Sequence, residues 1–116
     1  MSSADTTEII RRFNDAFQRH DGSVFRDLVG EGCVIENSTP APDGARIEGR
    51  DACAASWTQI ATSPEIEFDL EDVEVMGERA IIRWRMRRGA GAVRGVNLMR
   101  VRAGKIVEGM GYVKGQ

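Results

Sequence analysis

Ile66-Glu67-Phe68-Asp69-Leu70-Glu71-Asp72-Val73-Glu74-Val75-Met76 is the stretch on which the fold turns. Ile66, Phe68 and Leu70 alternate with Glu65, Glu67, Asp69 and Glu71, the period-two pattern of a strand with one buried face. Past Asp72 the apolar phase slips by one, to Val73 and Val75. Both halves can face the same core only if the strand carries an extra residue, a β-bulge, and a bulge bends the strand. The stretch therefore predicts a curved sheet.

Downstream the pattern stays strand-like. Gly77 marks a turn, and Ala80, Ile82, Trp84 and Met86 then alternate with Arg83, Arg85 and Arg87. Gly89, Ala90 and Gly91 make the next turn, before strands over 93–101 and 105–113 joined at Ala103-Gly104. Four long strands with short connections predict an antiparallel meander.

Upstream the period changes to helical. Asp5 and Glu8 have capping-box spacing, and Ile9, Phe13, Ala16, Phe17 and His20 share one face of a helix predicted over 6–19. A short second helix is predicted near 23–29, with Gly30 and Gly32 as turn residues. A strand over 33–37, a proline-containing loop over 38–44 and a brief strand at 46–48 follow. A third helix starts at Asp51, buries Cys53, Trp57 and Ile60, and ends at Ser63-Pro64. Helices first and strands after make an α+β domain. The expected architecture is a single domain over 1–116, with a curved antiparallel sheet of about four long strands plus a short hairpin, closed by three N-terminal helices around a cavity.

Composition narrows the function. The 116 residues suit one domain, and 41% hydrophobic with 29% charged residues is ordinary for a globular chain. A net charge of −2 argues against a nucleic-acid footprint. No apolar run is long enough to span a bilayer, and the opening Met1-Ser2-Ser3-Ala4-Asp5 lacks the pattern of a signal peptide, so a cytoplasmic protein without membrane partners is expected. Cys33 and Cys53, isolated in apolar patterns, read as buried thiols rather than metal ligands or a disulfide. Nothing resembles a phosphate loop, a metal-ligand cluster or a catalytic triad, and neither metal nor cofactor is expected. Glu65, Glu67, Asp69 and Glu71 on one strand and Arg83, Arg85 and Arg87 on the next predict cross-strand ion pairs on a solvent face that also suits a partner subunit.

Several phrases carry a resemblance. They are Phe13-Asn14-Asp15-Ala16-Phe17-Gln18-Arg19-His20-Asp21, Val34-Ile35-Glu36-Asn37, Glu48-Gly49-Arg50-Asp51-Ala52, and the ending 96–108, Val96-Asn97-Leu98-Met99-Arg100-Val101-Arg102-Ala103-Gly104-Lys105-Ile106-Val107-Glu108. The chain resembles the SnoaL-like branch of the superfamily of nuclear transport factor two, which includes ketosteroid isomerases and polyketide cyclases. The resemblance covers nearly the whole length. It implies a cone-shaped domain with a deep pocket, and members that often form homodimers through the outer face of the sheet. It does not imply one chemistry, since this fold hosts many.

The resemblance also implies where catalytic groups would stand. The isomerases' proton-carrying carboxylate matches Asn37. Their oxyanion-hole tyrosine and protonated aspartate match Phe13 and Asn97, and a further tyrosine matches Trp57. The last-strand aspartate of related epoxide hydrolases matches Gly111, with Gly109 the next position along, and a His-Trp pair frequent in SnoaL-like endings is Gly109-Met110 here. Asn37 cannot act as a general base, whereas Asn97 can donate a hydrogen bond to an oxyanion. By strand phase Ile35, Asn37, Ile82, Trp84, Met86, Asn97, Met99 and Val101 point inward, while Gly109 and Gly111 leave room. Candidate catalytic residues are thus Asn37 and Asn97, and candidate ligand-binding residues are Phe13, Trp57, Trp84, Met86 and Met99. His20 reads as a helix-end residue, Glu36 and Glu108 as outward-facing, and Asp43 as a loop acid near the pocket mouth.

These residues leave three functions open. The first is an isomerase, cyclase or hydrolase acting on a small apolar molecule with a carbonyl, such as a polyketide or steroid. The second is a non-catalytic carrier or sensor for a hydrophobic metabolite. The third is an interaction protein that works through the striped outer face.

Overall fold

The structure is a computed structural model that describes residues 3–115. Helix α1 spans Ser3–Gln18 and buries Thr6, Ile10, Phe13 and Ala16, a stripe with helical spacing. The buried face centres on Ile10 rather than Ile9, and the helix starts ahead of Asp5, whose carboxylate lies in the first turn instead of at the cap. The helix ends as His20 takes a left-handed φ of 55° and the Asp21 amide bonds back to the Ala16 carbonyl at 2.9 Å. The His20 ring bridges two further elements, contacting the Ala61 carbonyl through Nδ1 at 2.9 Å and Glu67 through Nε2 at 3.1 Å.

Helix α2 is a single turn, Phe25–Leu28. Strand β1, Val29–Glu36, starts earlier than the sequence pattern predicted and absorbs Gly30 and Gly32, expected in a turn. The cause lies across the sheet: a Cβ at Gly30 would come within 3.2 Å of Lys105 and Val107, so the glycine lets β1 approach its neighbour. Strand β2, Arg46–Glu48, pairs back on β1, and helix α3, Arg50–Ala61, buries Cys53, Ala54, Trp57 and Ala61. Both cysteines are free and buried, and burial raises the pKa of each thiol.

Strands β3 (Ile66–Met76), β4 (Arg79–Arg88), β5 (Gly91–Arg102) and β6 (Lys105–Val113) form the predicted meander. The bulge falls where the phase slips: Leu70 faces Trp84, Asp72 faces Arg83, and Glu71 is the extra residue between them. The sheet order is β2-β1-β6-β5-β4-β3. One pairing departs from the expected all-antiparallel sheet, for β1 runs parallel to β6 and the sheet is mixed. These strands are distant in sequence, so no hairpin dictates their relative direction. The three helices cover the concave face, and the buried cluster runs between helix and sheet, from Ile10, Phe25 and Leu28 to Met99, Val101 and Ile106. Among the described residues no helix is long and apolar enough to cross a membrane.

The charged stripe is paired less regularly than its spacing predicted. Arg87 grips Asp69 in a two-pronged bond at 2.8 and 3.0 Å, which lowers the Asp69 pKa, and Glu71 reaches Arg94 on β5 at 3.1 Å. Arg83 and Arg85 make no ion pair among the described residues.

Candidate functional site

The concave face of the sheet and helices α1 and α3 enclose an open cavity of about 460 Å³. Its wall is built by strand parity. Ile82, Trp84 and Met86 of β4 project into it, as do Phe68 and Leu70 of β3, Asn97 of β5, and Ile35 with Asn37 at the end of β1. Phe13, Phe17 and Trp57 close it from the helices.

Aromatic rings line much of this wall in edge-to-face contact. Trp57 meets Phe13 at a centroid distance of 4.8 Å, Phe13 meets Phe17 at 4.9 Å, Phe17 meets Phe68 at 5.4 Å, and Phe68 meets Trp84 at 5.6 Å. Such pairs add about 0.5–1.5 kcal/mol each beyond the area they bury. The chain of rings ties both helices to the sheet and leaves an apolar lining.

Glycines set the shape of the floor. A Cβ at Gly95 would lie 2.6 Å from the Trp84 ring, so only glycine lets the indole lie across β5. A Cβ at Gly109 would lie 2.6 Å from the Trp57 ring and 3.5 Å from Met99 Sδ. Trp57 thus packs against Gly109, and both Gly109 and Gly111 border the cavity. Met99 and Val101 are fully buried and do not line the cavity. The placement of Met99 in the ligand wall is therefore corrected: its parity is inward, but its side chain is wholly buried in the core cluster and does not border the cavity.

The polar groups are few. Trp84 Nε1 donates to Asn97 Oδ1 at 3.2 Å. An indole nitrogen only donates, so this bond fixes the orientation of the amide. Asn97 Oδ1 is engaged, and the Nδ2 group is left to serve as a donor at the cavity wall. Asn37 anchors the loop after β1 through its backbone amide, bonded to the Ala45 carbonyl at 2.9 Å, and its residue borders the cavity. Glu36 also borders it, but its carboxylate is held by Arg46 Nη1 at 2.8 Å. Asp43 is exposed and faces a separate, smaller depression of about 140 Å³, alongside Tyr112 and Met110. Glu108 is paired with Arg79 at 2.7 Å on the other side of the sheet.

Several lining residues escaped the sequence reading. Asn14 and Gln18 follow Phe13 and Phe17 at the helix edge, and Gln18 Nε2 is bonded to the Phe68 carbonyl at 2.8 Å. Arg88 lines the cavity at the end of β4. Its signal was present, because Arg88 shares parity with Trp84 and Met86 rather than with Arg83, Arg85 and Arg87.

Comparison with known proteins agrees with this geometry. Among curated proteins no sequence matches the chain. A solved NTF2-like protein of unknown function from Mesorhizobium loti is 60% identical, with a TM-score of 0.94 over 97% of this chain and 93% of that one. A putative ketosteroid isomerase from Kribbella flavida superposes with a TM-score of 0.82 at 18% identity, covering 97% of this chain and 80% of that one. A putative SnoaL-like polyketide cyclase from Jannaschia sp. superposes with a TM-score of 0.75 at 16% identity, covering 96% and 86%. The last two likenesses bear on the fold alone. The SnoaL-like domain matches residues 10–109, and the chain belongs to that family, within the NTF2-like and cystatin-like group of folds.

Proposed function

We propose that the cavity receives a small apolar molecule bearing a carbonyl, and that Asn97 polarises its oxygen. The observation that carries this reading is the Trp84–Asn97 hydrogen bond, which commits the amide oxygen to the indole and leaves the amide nitrogen as a donor. A fixed donor aimed at an oxygen that gains negative charge lowers the barrier to enolisation, cyclisation or hydration. The apolar wall supplies burial, and Asn37, which also borders the cavity, adds a second polar group.

The test is incubation of the protein with a panel of apolar ketones, epoxides and steroids, scored by native mass spectrometry for retention and by product analysis for turnover. Asn97→Ala is expected to lower kcat on any converted ketone by about 100-fold, the usual cost of losing one oxyanion donor. Unchanged turnover in Asn97→Ala and Asn37→Ala would remove the assigned roles.

One observation favours a second reading, a carrier or sensor without chemistry. The carboxylate bordering the cavity, Glu36, is bound to Arg46, so a proton acceptor has to come from water or from the ligand. Retention without conversion across the panel would favour that reading. In either case we infer a homodimer formed through the outer face of the sheet, where Leu98 and Tyr112 are exposed, and a cytoplasmic setting that suits two free buried thiols.

A further inference from the structure

The cavity wall carries a cation with no counter-ion among the described residues. Arg88 ends the inward-facing row of β4, two residues past Met86, and borders the cavity near Val93 and Leu70, whose side chains are 38% and 46% exposed. The mouth of the cavity therefore lies at this end. Beside it, Arg87 is committed to Asp69 and Arg94 to Glu71, while Arg83 and Arg85 have the opposite strand parity and project from the other face of the sheet. Arg88 makes neither an ion pair nor a side-chain hydrogen bond among the described residues. Its direct neighbours across the sheet are Ile66 and Gly91, which offer no carboxylate. Glu36 also borders the cavity but is neutralised by Arg46. The lining is thus apolar with one uncompensated positive charge at the rim.

We propose that the ligand is an amphiphilic monoanion whose carboxylate is held by the Arg88 guanidinium while its apolar body fills the cavity. This rests on the cavity being a ligand site and names the ligand's class. A guanidinium presents paired N–H donors that match a carboxylate, and the contact strengthens beside a low-dielectric wall. Shape follows from the same strand. Asn97 pairs with Ile82, six residues before Arg88, a run of roughly 20 Å along β4. A molecule that meets Asn97 with a carbonyl and Arg88 with a carboxylate is elongated, with its two oxygen functions at opposite ends.

The experiment measures displacement of a fluorescent apolar dye by sodium decanoate and by 1-decanol, below the aggregation limit of each. The wild type, Arg88→Met and Arg88→Lys are compared after circular dichroism has shown each to be folded. Arg88 is exposed, so its loss leaves the core intact. The wild type is expected to bind decanoate about tenfold more tightly than decanol, with the preference fading at high salt. Arg88→Met is expected to bind both equally, at the wild-type affinity for decanol, and Arg88→Lys to retain part of the preference. An equal affinity of the wild type for acid and alcohol, or an undiminished preference in Arg88→Met, overturns the proposal and leaves the ligand site standing. Failure of both probes to bind the wild type removes the ligand site and this proposal together.

Discussion

At the residue scale, the site depends on two indoles held by two glycines. Trp84 lies over Gly95 and Trp57 over Gly109, and neither placement tolerates a Cβ beneath it. The sequence showed the tryptophans and glycines as separate features. Gly111 borders the cavity as strand parity suggests, but the approach of Trp57 to Gly109 was not legible, because parity says which way a position points and not which side chain arrives from another element. Met99 was misplaced for a related reason, since parity points it inward but only the fold reveals that it is packed wholly in the core cluster. The orientation of Asn97 was likewise out of reach, because it follows from one bond to Trp84, thirteen residues away. That bond makes a prediction. Trp84→Phe keeps an aromatic ring over Gly95 but removes the donor, so the Asn97 amide is free to rotate. Affinity for a carbonyl ligand is expected to fall several-fold, about the worth of one net hydrogen bond. Affinity for a matched hydrocarbon should stay level. Titration of both ligands by dye displacement separates the two, and an equal loss for both would mean that the indole acts by shape alone.

At the scale of elements, the bulge in β3 was legible in advance because one extra residue leaves a trace in the apolar phase, from Leu70 to Val73. The start of β1 was not legible. Gly30 looks like a turn residue until β6 is seen against it, and Gly32 lies in the register break between Val29 and Val34. The parallel pairing of β1 with β6 leaves no local trace at all. The bulge also invites a direct test of what curvature does. Removal of Glu71 restores strict alternation while Leu70, Asp72 and Val73 keep their partners on β4, so the buried face is unchanged and the bend is lost. Phe68 and Leu70 then sit differently over the cavity. The deletion is expected to destabilise the protein by about 1–3 kcal/mol, within the range of single-site changes to ordered structure, and to lower ligand affinity by more than tenfold. Glu71→Gln, which loses only the exposed pair with Arg94, is the control and should unfold within about 1 kcal/mol of the wild type in urea. Equal ligand affinity in the deletion and the control would show that the cavity does not depend on the bulge.

At the scale of the whole molecule, the two faces of the sheet have different chemistry. The concave face is committed to helices and cavity. On the convex face Ile81, Leu98 and Met110 stand in one row across three strands, and Val96 and Tyr112 stand beside them. Leu98 is 37% and Tyr112 55% exposed, an apolar strip on an otherwise charged surface. Around it, among the described residues, Arg83 and Arg85 lack ion pairs and Arg100 Nε is buried without an acceptor. An apolar centre rimmed by unsatisfied charge suits an isologous contact, in which each copy supplies the same surface. The inferred homodimer therefore turns on Leu98. Leu98→Arg places a cation in the middle of the strip and, across a two-fold axis, against its own copy. Sedimentation at micromolar concentration is expected to show twice the 12.8 kDa chain mass for the wild type and the chain mass for the variant. Because Leu98 and Asn97 project to opposite faces, the monomeric variant should still bind a cavity ligand. A monomeric wild type would assign the strip to a different partner. A variant that dissociates and loses the ligand together would show that the two faces are not independent, and that the dimer holds the sheet in the curvature the cavity requires.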